Sequence, residues 1–441
     1  MRQRPAPPEY GGRRALVMGL GVSGGGVGVA RFLAERGAHV TVTDLQPPER
    51  LARSVEALEG YGVRFVLGEH REEDFVEADV IIRNPAVPRT HPYLRLAADR
   101  GIPVYMEMTL FFLECPSARI AGVTGTKGKT TATTLLGEIM KADGRDVVVA
   151  GNLRVSALEQ LARIGPETDV VLELSSFQLE GMESIATSPP AAVITNLMPD
   201  HLNRYGSMAE YLDAKKPIFR FQEPGGVVAL NRDDAYLREI AGEAPGRVVW
   251  FGHDDAVPGA SRSHLRGEHN RSNMAAAAAL ARALGVGDGV IERAIADFPG
   301  VPYRQELIRV RQGVRFVNDT AATTPDATLA ALQTADRPVV LIAGGADKEL
   351  DFTALGRVVD HPQSVVKAVV LLEGTATTKL AAAVAGKVAG RFADFRGAIL
   401  CATELAAPGE MVLLSPGCAS FGMFANEFDR GDQFNAIVQA L

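Results

Sequence analysis

Short apolar runs, each closed by a polar or glycine-rich turn, recur along the 441-residue chain and alternate with segments whose apolar positions fall at helical spacing. The first run is Ala15–Met18, followed by a glycine turn and a helical pattern through Ala30, Phe32 and Leu33. Val40–Thr43 reads as the next strand, ending at Asp44, and Val80–Ile82 and Ile102–Val104 continue the series. A second series holds Ile120–Val123, Val147–Ala150, Val170–Leu172 and Ala192–Ile194, and ends in an alanine-rich helix, Asn273–Leu284. The third holds Val314–Val317, Val339–Ile342, Val369–Leu372 and Met411–Leu414. Strand–helix alternation throughout predicts an α/β protein of mainly parallel sheets flanked by helices. The pattern pauses near Glu107–Pro116 and again at Phe298-Pro299-Gly300-Val301-Pro302, where two prolines and a glycine interrupt helix and strand alike. Three domains are expected, over residues 1–108, 109–299 and 300–441.

Composition narrows the class without changing this picture. A chain that is 46% hydrophobic and 22% charged is a folded globular protein, not a disordered one. The net charge of −7 argues against nucleic acid as the principal ligand. Three cysteines (Cys115, Cys401 and Cys418) make no disulfide framework and lack zinc-like spacing, which predicts a reducing cytoplasmic setting. No apolar run reaches the ~18 residues of a membrane helix, so no membrane insertion is expected.

Two turns carry chemistry. Gly19-Leu20-Gly21-Val22-Ser23-Gly24 is a G-x-G-x-x-G turn between strand and helix, with Asp44 20 residues beyond Gly24 at the end of the next strand. Glycines let the backbone approach a ligand, the helix start attracts phosphate, and the acid accepts hydrogen bonds from a ribose or base. Taken alone, this Rossmann-like unit suggests an NAD-dependent dehydrogenase. The second turn, Val123-Thr124-Gly125-Thr126-Lys127-Gly128-Lys129-Thr130-Thr131, joins an apolar strand to a helix in the manner of a phosphate-binding P-loop, although Val123 stands where the strict pattern has its first glycine. Its amides can cradle phosphates, Lys129 can neutralise their oxygens, and the Thr130 hydroxyl can ligate Mg²⁺. Further along the same domain, Val170–Leu172 runs into Glu173, and Ala192–Ile194 leads through Thr195-Asn196 to Asp200-His201. Ligands of parallel sheets bind beyond the carboxyl ends of strands, so Glu173 and His201 are expected to face the phosphates.

With these motifs in hand the chain resembles the Mur ligase superfamily, and within it the branch that adds D-glutamate to a UDP-muramoyl precursor in peptidoglycan synthesis. Gly125–Thr131 is typical of the superfamily and Glu173-Leu174-Ser175-Ser176-Phe177-Gln178-Leu179-Glu180 is close to specific for that branch. Asp200-His201-x-x-Arg204-Tyr205, His269-Asn270-x-x-Asn273 and Leu414–Ser420 reinforce the resemblance. It implies a Rossmann-like N-terminal domain that binds the uridine diphosphate, a central ATP-binding P-loop domain and a Rossmann-like C-terminal domain that binds the amino acid and closes on the nucleotide.

Residue by residue, the resemblance implies that Val22, Ser23, Asp44, Leu45 and Asn84 hold the UDP end of the acceptor, UDP-N-acetylmuramoyl-L-alanine, and that Asn152, Ser175 and Gln178 approach its muramoyl-alanine end. ATP would meet Gly125, Thr126, Lys127, Gly128, Lys129, Thr130 and Thr131, together with Asn270, Asn273, Arg304 and Asp319. Lys129, Glu173, His201 and Lys215 would be catalytic. Two Mg²⁺ ions would be held by Thr130, Glu173, His201 and a carbamylated Lys215, a residue that sequence reasoning by itself places on the solvated surface. Thr323, Lys348 and Ser420 would hold glutamate. Ala321 stands where the family usually has lysine, and Glu427 where an aromatic residue is usual, so the glutamate pocket is expected to bind more weakly; the resemblance favours D-glutamate, with L-glutamate as the alternative. The enzyme is expected to act as a cytoplasmic monomer. A dehydrogenase, or a ligase for another amino acid, are the alternatives.

Overall fold

The computed structural model describes residues 7–22, 24–152, 156–265 and 267–441. Ser23, expected to touch the acceptor's diphosphate, lies outside the described residues. Three sheets are present, each with helices on its faces. The first contains β1 (Arg14–Met18), β2 (His39–Asp44), β3 (Arg64–Leu67), β4 (Val80–Arg83) and β5 (Val104–Tyr105), in the order β3-β2-β1-β4-β5 and parallel throughout. The second contains β6 (Ile120–Thr124), β7 (Val147–Gly151), β8 (Asp169–Glu173), β9 (Ala191–Ile194), β10 (Val227–Asn231) and β11 (Arg247–Phe251), again all parallel, in the order β11-β10-β9-β6-β8-β7. The third contains β12 (Glu306–Arg311), β13 (Val314–Asn318), β14 (Val339–Gly344), β15 (Val366–Leu372), β16 (Val388–Phe392) and β17 (Met411–Leu414), in the order β12-β13-β17-β14-β15-β16. Among the described residues only β12 runs antiparallel to its neighbour.

The chain forms two compact units, one holding the first two sheets and the other, mainly Pro299–Leu441, holding the third. The division falls at Phe298 and Pro299, inside the proline–glycine stretch. Within the first unit the boundary stretch Glu107–Pro116 contains a helix, Glu107–Glu114, buried from Met108 to Leu113 and apolar there except for Thr109, whose hydroxyl donates to the Gly181 carbonyl at 3.2 Å. A helix of that composition needs a core on both flanks. Met108, Phe111 and Phe112 sit in one continuous cluster with Val17, Phe32 and Val42 of the first sheet layer and Ile120, Leu172 and Ile194 of the second. Gly28 permits the close approach: a Cβ there would meet Ser156 at 2.5 Å.

In the second unit, alternate residues of each central strand enter opposite clusters. Leu341, Val369, Leu371 and Leu413 pack on one face, and Val340, Ile342, Val370, Val412 and Leu414 on the other. That is the period of two expected of strands covered by helices on both sides.

Candidate functional site

The site in the first unit grows from three neighbouring strands. β6 lies between β9 and β8, with Thr124 opposite Ile194 and Val123 opposite Glu173. Whatever follows each of these strands must emerge side by side at one sheet edge. β6 is followed by the loop Gly125–Gly128 and the helix Lys129–Ala142, β8 ends on Glu173, and β9 leads through Thr195 and Asn196 to His201.

The loop is braced from that edge. The Lys127 amide donates to Asn196 Oδ1 at 2.9 Å, and Thr195 Oγ1 donates to the Lys127 carbonyl at 2.6 Å. Thr126 Oγ1 lies 3.2 Å from the hydroxyl of Tyr211 and accepts from the Met198 amide at 3.0 Å. Gly128 caps the helix in the left-handed region (φ 82°), and a Cβ there would lie 2.0 Å from Asn273 Oδ1. Only glycine admits both the turn and the asparagine. Lys129 folds back, its Nζ donating to the carbonyls of Gly125 and Thr126 at 3.1 and 3.0 Å. Thr130 is half-buried and Thr131 buried on the first turn. Asn273 donates to Asn270 Oδ1 at 3.2 Å. It stands inside the helix Glu268–Ala283.

Glu173 is buried, and its two oxygens differ. Oε1 accepts from Asn152 Nδ2 at 2.9 Å, whereas Oε2 is buried with no hydrogen-bond partner. A carboxylate oxygen without a donor is costly in a protein interior and is well matched to a hard cation. Among the described residues no group of three His, Cys, Asp or Glu is close enough to hold an ion alone, so Glu173 requires other donors, such as a hydroxyl or phosphate oxygens.

His201 adopts φ 53°, uncommon for a residue with a side chain. Its amide donates to Asp200 Oδ1 at 3.0 Å, and its carbonyl accepts from Arg204 and Tyr205, which fixes the strained turn. Burial holds the imidazole below its usual pKa and the nearby Lys215, Lys129 and Lys127 reinforce this against Asp200, leaving a neutral ring with a lone pair to offer. Its ring packs 4.9 Å from that of Phe177.

Lys215 corrects the sequence-based picture of a solvated lysine. It is fully buried at the end of the helix Met208–Lys215, and Nζ donates to the Gly125 carbonyl at 3.1 Å. The amine stands 4.7 Å from the centre of the Tyr211 ring. Burial, followed by the charge of Lys129, holds its pKa well below the usual lysine value. A neutral, nucleophilic amine is the form able to take up CO₂ as a carbamate. Lys216, beside it, is instead an ordinary ion-pairing lysine, 2.8 Å from Glu243. The sequence reading gave no role to Tyr211 or to the Thr195–Asn196 pair. Their signals were a tyrosine four residues before Lys215, hence on the same helix face, and a polar pair closing a buried strand.

The residues expected to meet the acceptor fall into two groups. Around the first glycine turn, Asp44 accepts from the amides of Gly21 at 3.0 Å and Gln46 at 2.8 Å, so its carboxylate shapes the turn itself. Asn84 packs against Gly19, where a Cβ would lie 2.7 Å from the asparagine Cβ. Val22 and Leu45 are exposed apolar residues on the rim of this turn. In the second group, Asn152 is committed to Glu173, while Ser175 and Gln178 bind each other as the capping box of the helix Ser176–Met182.

In the second unit Asp319 follows β13. It is buried, accepts from Ser415 Oγ at 2.7 Å and from the Gln305 amide at 3.1 Å, and burial pushes its pKa up to about 7 against the lowering influence of Arg304. Arg304 is exposed. Lys348 Nζ donates to Thr323 Oγ1 at 3.3 Å, and Ser420 Oγ is buried without a partner. Glu427 does not act as an uncompensated charge. Arg430, fully buried and pushed down to about 10 by burial, is held up by Glu427, and the neighbouring Phe428 supplies an aromatic ring 5.7 Å from Tyr303.

Against known proteins, residues 13–106 match the family model of the Mur ligase MurD-like N-terminal domain, 123–261 the Mur ligase middle domain, and 303–418 the Mur ligase glutamate ligase domain. The UDP-N-acetylmuramoylalanine–D-glutamate ligase of Roseiflexus sp. (strain RS-1) is 51% identical over 98% of this chain and 99% of its own. The enzyme of the same name from Symbiobacterium thermophilum is 39% identical over 97% and 98%. Among solved structures, the UDP-N-acetylmuramate–alanine ligase of Thermotoga maritima shares the fold with a TM-score of 0.64 at 20% identity, covering 97% of this chain and 99% of that one.

Proposed function

The chain belongs to the Mur ligase family, and from that premise we propose that it joins D-glutamate to the L-alanyl carboxyl of UDP-N-acetylmuramoyl-L-alanine, with cleavage of ATP to ADP and phosphate, in peptidoglycan synthesis. Residues 1–108 take the UDP end of the acceptor, 109–299 the ATP, and 300–441 the amino acid. The enzyme works as a monomer in the cytoplasm; among the described residues no helix is long and apolar enough to cross a membrane.

The alanyl carboxylate attacks the γ-phosphate to give an acyl phosphate and ADP, and the amine of glutamate then displaces phosphate. The loop amides of Gly125–Thr131 and Lys129 bind the transferring phosphates. Lys129 must first release the two loop carbonyls it now holds, so ATP entry exchanges internal contacts for phosphate contacts. Thr130 and Glu173 would hold one Mg²⁺, and His201 with carbamylated Lys215 a second; these ions supply charge neutralisation at the phosphoryl oxygens. Asn152 keeps Glu173 oriented, and Tyr211 with Thr195 and Asn196 keeps the loop in register. Asn270, Asn273, Arg304 and Asp319 contribute to ATP, and Thr323, Lys348 and Ser420 to glutamate.

The observation that carries this reading is the side-by-side exit of the phosphate loop, Glu173 and the His201 segment from β6, β8 and β9. Its test is phosphate release from ATP as a function of both co-substrates. Release is expected only with the UDP-linked acceptor and D-glutamate together. Equal release without acceptor, or faster release with L-glutamate or a neutral amino acid, overturns it.

A further inference from the structure

Glu180 closes the Glu173–Glu180 motif but takes no part in the phosphate chemistry. It sits on the helix Ser176–Met182 and gathers three donor side chains from two other chain segments. Arg83, the last residue of β4, places Nη2 3.3 Å from Glu180 Oε2. Arg204 Nη2 lies 3.4 and 3.2 Å from the two carboxylate oxygens, and the Tyr205 hydroxyl donates to Oε1 at 2.9 Å. Both guanidiniums also reach the loop after β4: Arg83 Nη1 donates to the Val87 carbonyl at 2.7 Å and Arg204 Nη1 to the Ala86 carbonyl at 3.2 Å. Arg204 lies over the ring of Phe177, 4.5 Å from its centre, and Phe177 is the ring against which His201 packs.

One carboxylate therefore fixes the Asn84–Val87 loop of the first sheet and the platform beside His201 in the second. Among the described residues it is the only counter-charge paired with Arg83 and Arg204, and Arg83 is almost wholly buried. Neutralising Glu180 would leave two like charges facing each other in a poorly solvated place, and the loop they hold would lose its anchor. The network meets the phosphate loop only at one remove among the described residues: the Tyr205 ring lies 5.4 Å from that of Tyr211, whose hydroxyl is 3.2 Å from Thr126 Oγ1.

We infer that Glu180 is a positioning residue for the UDP-linked acceptor, aligning its loop with the His201 end of the phosphate site while remaining indifferent to ATP. The inference rests on the acceptor proposed above. The experiment is steady-state kinetics on the full chain with Glu180→Gln, Glu180→Asp, Arg204→Lys and the double variant Glu180→Gln/Arg204→Lys. A wild type inactive with the acceptor refutes the proposed function, not this inference. With an active wild type, Glu180→Gln is expected to raise the acceptor KM by about tenfold or more and lower kcat, while the ATP KM stays within about twofold. Glu180→Asp should recover part of the loss. Arg204→Lys keeps its charge but cannot span Glu180 and Ala86, so it should shift the acceptor KM in the same direction. The double variant should fall short of the product of the single effects, because both act through one network. Equal shifts in both KM values, multiplicative effects, or unchanged kinetics with only a lower Tm overturn the inference. If Glu180→Gln does not fold, the KM split of Arg204→Lys decides.

Discussion

Lys215 Nζ lies 3.1 Å from the carbonyl oxygen of Gly125, so the catalytic lysine proposed for the metal site is packed directly beneath the first residue of the phosphate loop. Its removal need not orphan that carbonyl, which also accepts from Lys129. A lysine whose pKa is lowered by burial binds its proton less tightly in the folded chain than in the unfolded one. It therefore costs stability at every pH below its ordinary value of 10.5, and the cost shrinks as pH rises towards that value. Lys215→Met is expected to lose activity by about 100-fold or more while melting at or above the wild-type temperature at pH 7. The advantage in Tm should narrow as pH approaches 10. Thermal unfolding from pH 6 to 10 checks this; a Tm well below wild type at pH 7 would show that the amine is a net structural support.

The free oxygen of Glu173 gives the second prediction. Glu173→Gln keeps an oxygen for Asn152 and removes the charge proposed to face Mg²⁺. Activity should fall by about 100-fold or more, and the Mg²⁺ concentration for half-maximal rate should rise. The melting temperature without Mg²⁺ should be unchanged or higher, since a buried charge has been removed. A Mg²⁺ titration that superimposes on that of the wild type contradicts the role.

Asp319 sets a pH dependence of opposite sign to that of Lys215. Its pKa is raised by burial from 3.8 to about 7, so the folded chain holds the proton more tightly than the unfolded chain. Its contribution to stability is complete below pH 3.8 and is lost as pH rises through 7. Asp319→Asn should match wild type near pH 4 and exceed it at pH 8, by up to about 4 kcal/mol, while losing activity. Denaturant unfolding across that range measures the difference. A pH-independent gap between the two proteins refutes the assignment.

In the proposed amino-acid pocket, Lys348 and Thr323 are already in contact, and Ala321 is where the family resemblance puts a second lysine. Ala321→Lys is expected to lower the KM for glutamate severalfold, to about a third or less, and to leave that for ATP unchanged. Initial rates with each substrate varied in turn provide the check. Loss of activity would remove this pocket from the proposal while leaving the phosphate chemistry untouched.

Central strands were legible in the sequence because both their faces are buried, which produces unbroken apolar runs such as Val339–Ile342. The strands that escaped were mostly edges. β3, β11, β12 and β16 each end a sheet and carry exposed positions such as Arg64, Trp250, Leu307 and Ala389. β10 escaped although it is buried throughout, because nothing that follows it carries recognisable chemistry. Within the site, the phosphate loop and Glu173 were readable because each directly follows such a strand. The burial of Lys215 was not, since the aromatic and loop residues that surround it come from separate stretches of chain. The mutual commitment of Ser175 and Gln178 was present as a capping pattern but was read for the ligand alone.

The buried helix Glu107–Glu114 makes residues on either side of it thermodynamic partners. Phe32 and Val42 cannot shed solvent without Ile120 and Leu172, so the first two sheets should melt in a single transition and neither should survive as a fragment. The unit of inheritance is then larger than the unit of ligand binding. A chimera of two relatives that joins one parent's first sheet to the other's second would divide a single core between two histories of compensating substitutions. An exchange at Phe298–Pro299 would leave that core with one parent.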